Sequence, residues 1–272
     1  MNAALAILSG GLVGFTLGLI GGGGSILATP LLLYVVGVAE PHVAIGTGAL
    51  AVAVNAFASF AQHWRAGNVR WGNAVVFAAI GVLGAFAGST LGKSFDGQKL
   101  LFLFAIIMVV VGIMMLRSGR RACKMDTAIA SAPANAPAFT PKIAVVAFGV
   151  GALSGFFGIG GGFLIVPGLL FATGMPLINA IGTSLFAVGA FGLATAANYA
   201  LSGLVDWTIA AEYIAGGLVG GYVGMRLACS LADYKGVLNT IFATVIFAVA
   251  AYMFYRTAGS FGSNTAAAAA TR

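Results

Sequence analysis

The chain has 272 residues, of which 60% are hydrophobic and only 7% charged. Soluble domains carry about 25% charged residues, so this composition, with a mean hydropathy of +1.05, excludes an ordinary soluble fold and indicates a polytopic membrane protein. The formal net charge of +7 lies in short loops, which points to membrane topology rather than to nucleic-acid binding.

Eight apolar blocks follow one another, at roughly 3–36, 43–63, 70–92, 99–117, 142–172, 176–200, 207–230 and 235–256. None shows the short alternating pattern of a membrane barrel, so the expected fold is all-α, with about eight transmembrane helices. Six blocks suit a single span of about 20 residues. The first and fifth are too long: a straight 34-residue helix would reach about 51 Å, against a hydrocarbon core of roughly 30 Å. Both long blocks hold a glycine cluster followed by a proline, GLIGGGGSILATPLLL at 18–33 and GFFGIGGGFLIVPGLL at 155–170. Each is therefore predicted to be two half-helices joined by a break, or a re-entrant hairpin. The N-terminal MNAALAILSG has no Lys or Arg ahead of its apolar run, and the run outlasts a signal peptide, so no cleaved signal is expected.

The second half repeats the first. Residues 18–37 slid by 137 positions onto 155–174 give nine identities in twenty, and the match continues at an offset of 136. Ala44-Ile45-Gly46-Thr47 meets Ala180-Ile181-Gly182-Thr183. Gly67, Val69 and Trp71 meet Gly203, Val205 and Trp207, and Gly81, Gly84 and Gly88 meet Gly217, Gly220 and Gly224. Paired Trp and Pro residues in register do not arise from composition alone. The expected organisation is a first four-helix repeat at 1–117, a cytoplasmic linker at 118–141, a second repeat at 142–256 and a flexible tail at 257–272. Lys and Arg counts support a cytoplasmic linker. If the long blocks re-enter, one side holds nine basic residues and the other four. If they cross once, the ratio is the same but the termini change sides, so the count leaves the termini and the relative orientation of the repeats open.

A break at the same place in both halves of a membrane protein marks a candidate transport site. The first N–H groups of a half-helix lack internal partners and carry the positive end of the dipole. Glycines let a ligand approach that backbone. The apolar blocks hold almost no central cation, so an anion here would be held by N–H groups and hydroxyls. The candidate substrate-binding residues are Gly21, Gly22, Gly23, Gly24, Ser25 and Thr47 in the first half. In the second they are Gly158, Gly160, Gly161, Gly162, Thr183 and Ser184. Gly81, Gly84 and Gly88 are expected to serve helix packing instead.

Asn55 lies in the middle of block 2, His63 ends it, and Glu212 is the one acidic residue inside an expected span; these three are candidates for coupling or gating. Trp71, Trp207 and the Gln62–Arg65 stretch also fit an interfacial belt. Cys123 and Cys229 have no metal-ligand spacing. No paired carboxylate, nucleophile–base set, metal cluster or Walker sequence is legible, so neither an enzyme nor a cofactor is expected. The expected partners are a small anion and the lipid bilayer. Without ATP hydrolysis, driving force comes from a gradient or the membrane potential. Export of an anion from a negative interior gains about 2.3 kcal/mol per charge per 100 mV.

GGGGSILATP, its second copy GIGGGFLIVP and the two IGT segments at 45–47 and 181–183 resemble the TauE/SafE sulfite-exporter family, over about residues 5–256. The resemblance implies a multi-pass permease of a bacterial inner membrane that moves sulfur-containing oxyanions such as sulfite or organosulfonates, and export is the expected direction. The second copy departs from the first at Ile159 and Gly162, which stand where Gly22 and Ser25 do, so the two half-sites are not expected to be equal. The alternatives are a channel or carrier for another small solute, or a non-transporting membrane scaffold for a redox or sensory partner.

Overall fold

A computed structural model describes residues 3–97, 99–107, 109–110, 113, 141–158, 162–173, 175, 177–230 and 251. The expected linker at 118–141 (residue 141 apart), the block at 235–256 (residue 251 apart) and the tail lie outside the described residues. Every regular element described is helical: α1 (Ala3–Ile20), α2 (Ala28–Leu31), α3 (Pro41–Arg65), α4 (Trp71–Ser94), α5 (Pro141–Phe157), α6 (Gly162–Thr173), α7 (Leu177–Ala200) and α8 (Trp207–Ser230). The described residues between 99 and 110 are helical too. Pro41 opens α3 behind an extended Glu40, where its missing N–H costs nothing and its fixed φ suits a helix start. Among the described residues, three helices are long and apolar enough to cross a membrane: Pro41–Arg65, Trp71–Ser94 and residues Asn179–Ala200 of α7.

Both long blocks double back. In the first, α1 stops at Gly21, whose φ of 75° lies in the left-handed region that side chains disfavour. The chain continues as a 3-10 turn over Gly21–Leu27, then α2, then a π-turn over Leu32–Val36. Gly24 abuts Thr16 and Leu17, and the π-turn touches α1 again. In the second block Gly158, with φ 64°, ends α5, and Gly168 of α6 lies against Val146 and Val150. Pro30 breaks nothing: it sits within the first turn of α2, where no intrahelical N–H bond is lost. The turn comes from the left-handed glycine.

The helices of one half pack on those of the other. Gly10, Gly14 and Gly18 of α1 meet Tyr213, Gly217 and Gly221 of α8, so these two helices run parallel. Likewise Gly84, Gly88 and Gly92 of α4 meet Phe148, Ala152 and Phe156 of α5. At each contact the facing carbonyl leaves no room for a Cβ. The packing role expected of Gly81, Gly84 and Gly88 is therefore observed. In the centre α3 lies antiparallel to α7: Gly46 meets Tyr199, Ala53 meets Gly192 and Phe57 meets Gly189. Since α3 and α7 are matched by the 136-residue offset, the matched elements point opposite ways.

Replacing Gly84 or Gly220 by Leu should force a helix pair apart and destabilise the purified protein by about 1–3 kcal/mol, read as a lower melting temperature in detergent. Gly149→Leu is the control: nothing lies within 4 Å of a Cβ there, and the melting temperature should not fall.

Candidate functional site

Each left-handed turn wedges against the start of a long helix from the opposite half. A Cβ on Gly21 would sit 2.7 Å from Ile181 Cγ2 of α7, and one on Gly158 would collide with Ile45 Cγ2 of α3. Ile45 and Ile181 are matched positions, two residues before Thr47 and Thr183. Those threonines cross over in the same way. The Asp206 N–H donates to Thr47 Oγ1 at 2.9 Å, and the Arg70 N–H donates to Thr183 Oγ1 at 3.1 Å. Arg70 and Asp206 are again a matched pair. So are the loops they close, where Asn68 N–H bonds the His63 carbonyl at 3.1 Å and Leu204 N–H the Tyr199 carbonyl at 3.0 Å.

Gly21–Leu27 also packs on α6 and on α7. The first glycine cluster therefore lies against the helix that follows the second break. Gly160 and Gly161 lie outside the described residues, and Gly162 opens α6. In the first half α-helix resumes after the break only at Ala28, and Gly22, Gly23, Gly24 and Ser25 belong to the 3-10 turn. Side chains at i and i+3 eclipse in such a turn; a run of glycines has none to eclipse.

The four hydroxyls divide into two kinds. All four residues are buried. Ser25 donates to the Gly22 carbonyl at 2.9 Å and Ser184 to the Ile181 carbonyl at 2.7 Å, so their protons are spent within their own turns. Thr47 and Thr183 accept backbone N–H groups and keep a proton to donate.

Asn55 is 1% exposed, and both its amide atoms lack a hydrogen-bond partner. It presses on Gly217 of α8. His63 is buried too, with both ring nitrogens unpartnered, rather than lying with the exposed Trp64 in an interfacial belt. Ser59 lies between them and faces Gly221. Asn55, Ser59 and His63 recur every four residues, so they form one polar stripe on α3. Glu212 is half-buried, near the start of α8. That is the end of the molecule opposite His63, so the structure does not bring these two together. The sequence reading missed Lys93, in the last turn of α4, whose Nζ bonds Asn198 Oδ1 at 2.8 Å. It stands just past the end of an apolar block, where a basic residue ordinarily marks a loop.

The sequence matches the family described as "Sulfite exporter TauE/SafE" over residues 6–253. It is 55% identical over 255 residues to a "Probable membrane transporter protein" of Xylella fastidiosa (strain Temecula1), covering 93% of this chain and 95% of that protein. It is also 27% identical over 242 residues to "Probable membrane transporter protein YunE" of Bacillus subtilis (strain 168), covering 84% and 89%. No solved structure matches. With the family match running through both glycine turns and both IGT segments, the chain belongs to the TauE/SafE sulfite exporter family.

Proposed function

We propose that the chain is a secondary membrane transporter, working as an exporter, of small sulfur-containing oxyanions such as sulfite or organosulfonates. One observation carries the reading. The two left-handed turns each reach across to the IGT segment of the other half, one toward each end of the antiparallel pair α3 and α7, so each end holds a half-site built from both repeats. Family membership supports the substrate class, and the relatives' names support transport.

The architecture that goes with it is eight spans in two repeats of four, at 1–117 and 142–256, each opening with a re-entrant hairpin. The opposed directions of α3 and α7, and the reciprocal contacts of matched residues, support inverted repeats. Re-entry puts residues 65–70 and 141–142 at one end, because α4 and α5 start there and run parallel. By the excess of Lys and Arg that end, with the 118–141 linker, is cytoplasmic. The protein then sits in a bacterial inner membrane.

In the mechanism, the anion passes between two half-sites, one at each turn. Backbone N–H groups of the 3-10 segment serve the half-site that holds Thr183, and those at the start of α6 serve the half-site that holds Thr47; each threonine donates its free proton there. Asn55 and His63, buried without partners, line the route from the cytoplasmic half-site toward the other. Rocking of one half against the other would open the two half-sites alternately, as expected for inverted repeats.

Proteoliposomes carrying the protein should pass radiolabelled sulfite and an organosulfonate, and not a neutral solute of similar size. Flux of the neutral solute alone, or no flux, would sink the reading. Thr47→Val and Thr183→Val should each slow sulfite flux by about tenfold, the value of a hydrogen bond to a charged group. Asn55→Leu should fold as well as the wild type or better, because it removes a buried amide without partners, while cutting flux several-fold. Unchanged flux in Asn55→Leu would assign that residue to packing.

A further inference from the structure

A second cluster lies at the end of the molecule opposite the basic loops. Lys93 closes α4. Its ammonium donates to the Asn198 carbonyl at 3.0 Å, to Asn198 Oδ1 at 2.8 Å and to Ser202 Oγ at 2.9 Å. All three acceptors are neutral, so none of them cancels the charge. The clasp is prepared in advance: the amide of Asn198 donates to Ser89 Oγ at 2.6 Å and to Thr90 Oγ1 at 3.0 Å.

Beside it lie two polar groups with unused capacity. Tyr199 is 0% exposed, and its hydroxyl has no hydrogen-bond partner. Its ring centroid is 6.0 Å from Lys93 Nζ and 6.3 Å from the ring of His42. His42 bonds the Phe95 carbonyl through Nε2 at 3.1 Å, while its Nδ1 is buried and unpartnered. A buried phenol and a buried imidazole nitrogen left open, around a cation with neutral partners, are the complement of an anion rich in acceptor oxygens. Tyr199 also packs against Gly46, the residue before Thr47, so this cluster adjoins the site described above.

We propose that Lys93, Tyr199 and His42 form an outer vestibule that binds a small oxyanion at the end opposite the basic loops. This rests on the transporter reading for its role in flux, though not for the binding itself. The ammonium supplies the field that draws the anion. The phenol O–H, and the imidazole Nδ1 when protonated, supply directed donors. Lys93 can trade one of its neutral acceptors for the anion without leaving the clasp. The offset of 136 matches Lys93 with Cys229 and His42 with Ile178, so the repeat does not rebuild this cluster at the other end. The vestibule therefore serves one face only.

The test uses the purified full chain in detergent and in proteoliposomes. At constant ionic strength, sulfite, sulfate and benzenesulfonate are compared with chloride for their effect on the melting temperature. At least one of the three should raise it in the wild type and in Lys93→Arg, and not in Lys93→Met. In proteoliposomes Lys93→Met should raise the KM for sulfite about tenfold while keeping most of the maximal rate, and Tyr199→Phe should raise it several-fold. The proposal is overturned if no oxyanion shifts the wild type, or if Lys93→Met responds as the wild type does. It is also overturned if Lys93→Met and Asn198→Leu lower stability alike with KM unchanged, since Lys93 would then be only a strut between α4 and α7. Absent sulfite flux with an intact Lys93-dependent thermal shift would defeat the transporter reading alone.

Discussion

In lipid, apolar side chains gain little by meeting one another, so helices associate where their backbones can touch. In this protein that contact is made between the halves. The glycine ridge of α1 lies on the glycine ridge of α8, and the ridge of α4 lies on α5, carbonyl against Cα. Everything else is carried by these two seams. They hold α1 and α5 upright, and the left-handed residues at their ends, Gly21 and Gly158, are thereby delivered to Ile181 and Ile45. A fold in which each half packed on itself would put each turn against its own repeat. The crossing is what lets each end of the molecule draw on both halves.

Much of this was legible beforehand. Two blocks too long for one span, each with a glycine cluster, required a break, and the break is there. The offset of 136 identified Thr47 with Thr183 and Gly67 with Gly203 before either was known to sit in matching contacts. What could not be read was the direction of each helix after its break. Lys and Arg counts are the same for a crossing and for a re-entry, so charge was blind to it. The backbone of Gly21 decides it: a left-handed residue turns the chain, whereas Pro30, the more conspicuous breaker, sits harmlessly in a first turn.

The site was legible in residue type more than in role. Ser25 and Ser184 looked like free donors because a sequence lists hydroxyls, not their partners. Both spend their proton on a carbonyl three residues back, a local bond open to any serine in a helical turn. Thr47 and Thr183 keep theirs, because the bond they accept comes from a backbone distant in sequence. Lys93 went unnoticed for the same reason: its partners lie more than a hundred residues away.

Departures from the repeat say where the halves divide their labour. Asn55 and Phe191 are matched positions, and so are Gly217 and Gly81. Asn55 presses on Gly217, and Phe191 presses on Gly81. The contact is conserved in geometry while one side is an amide with no partner and the other a phenyl stacked on Phe77, 6.2 Å between centroids. A dry aromatic plug and an open amide at equivalent depths make the polar stripe of α3 the more hospitable route for a polar solute. Lys93, unmatched by the repeat, then lies at the end away from the His63 end of that stripe. Under the proposed orientation a negative interior already drives an anion outward. A fixed cation at the outer end would deepen that gradient, at the cost of slowing final release. A solute passing from uncharged donors to a single lysine is therefore held most tightly at the last step, where the membrane potential has already done its work.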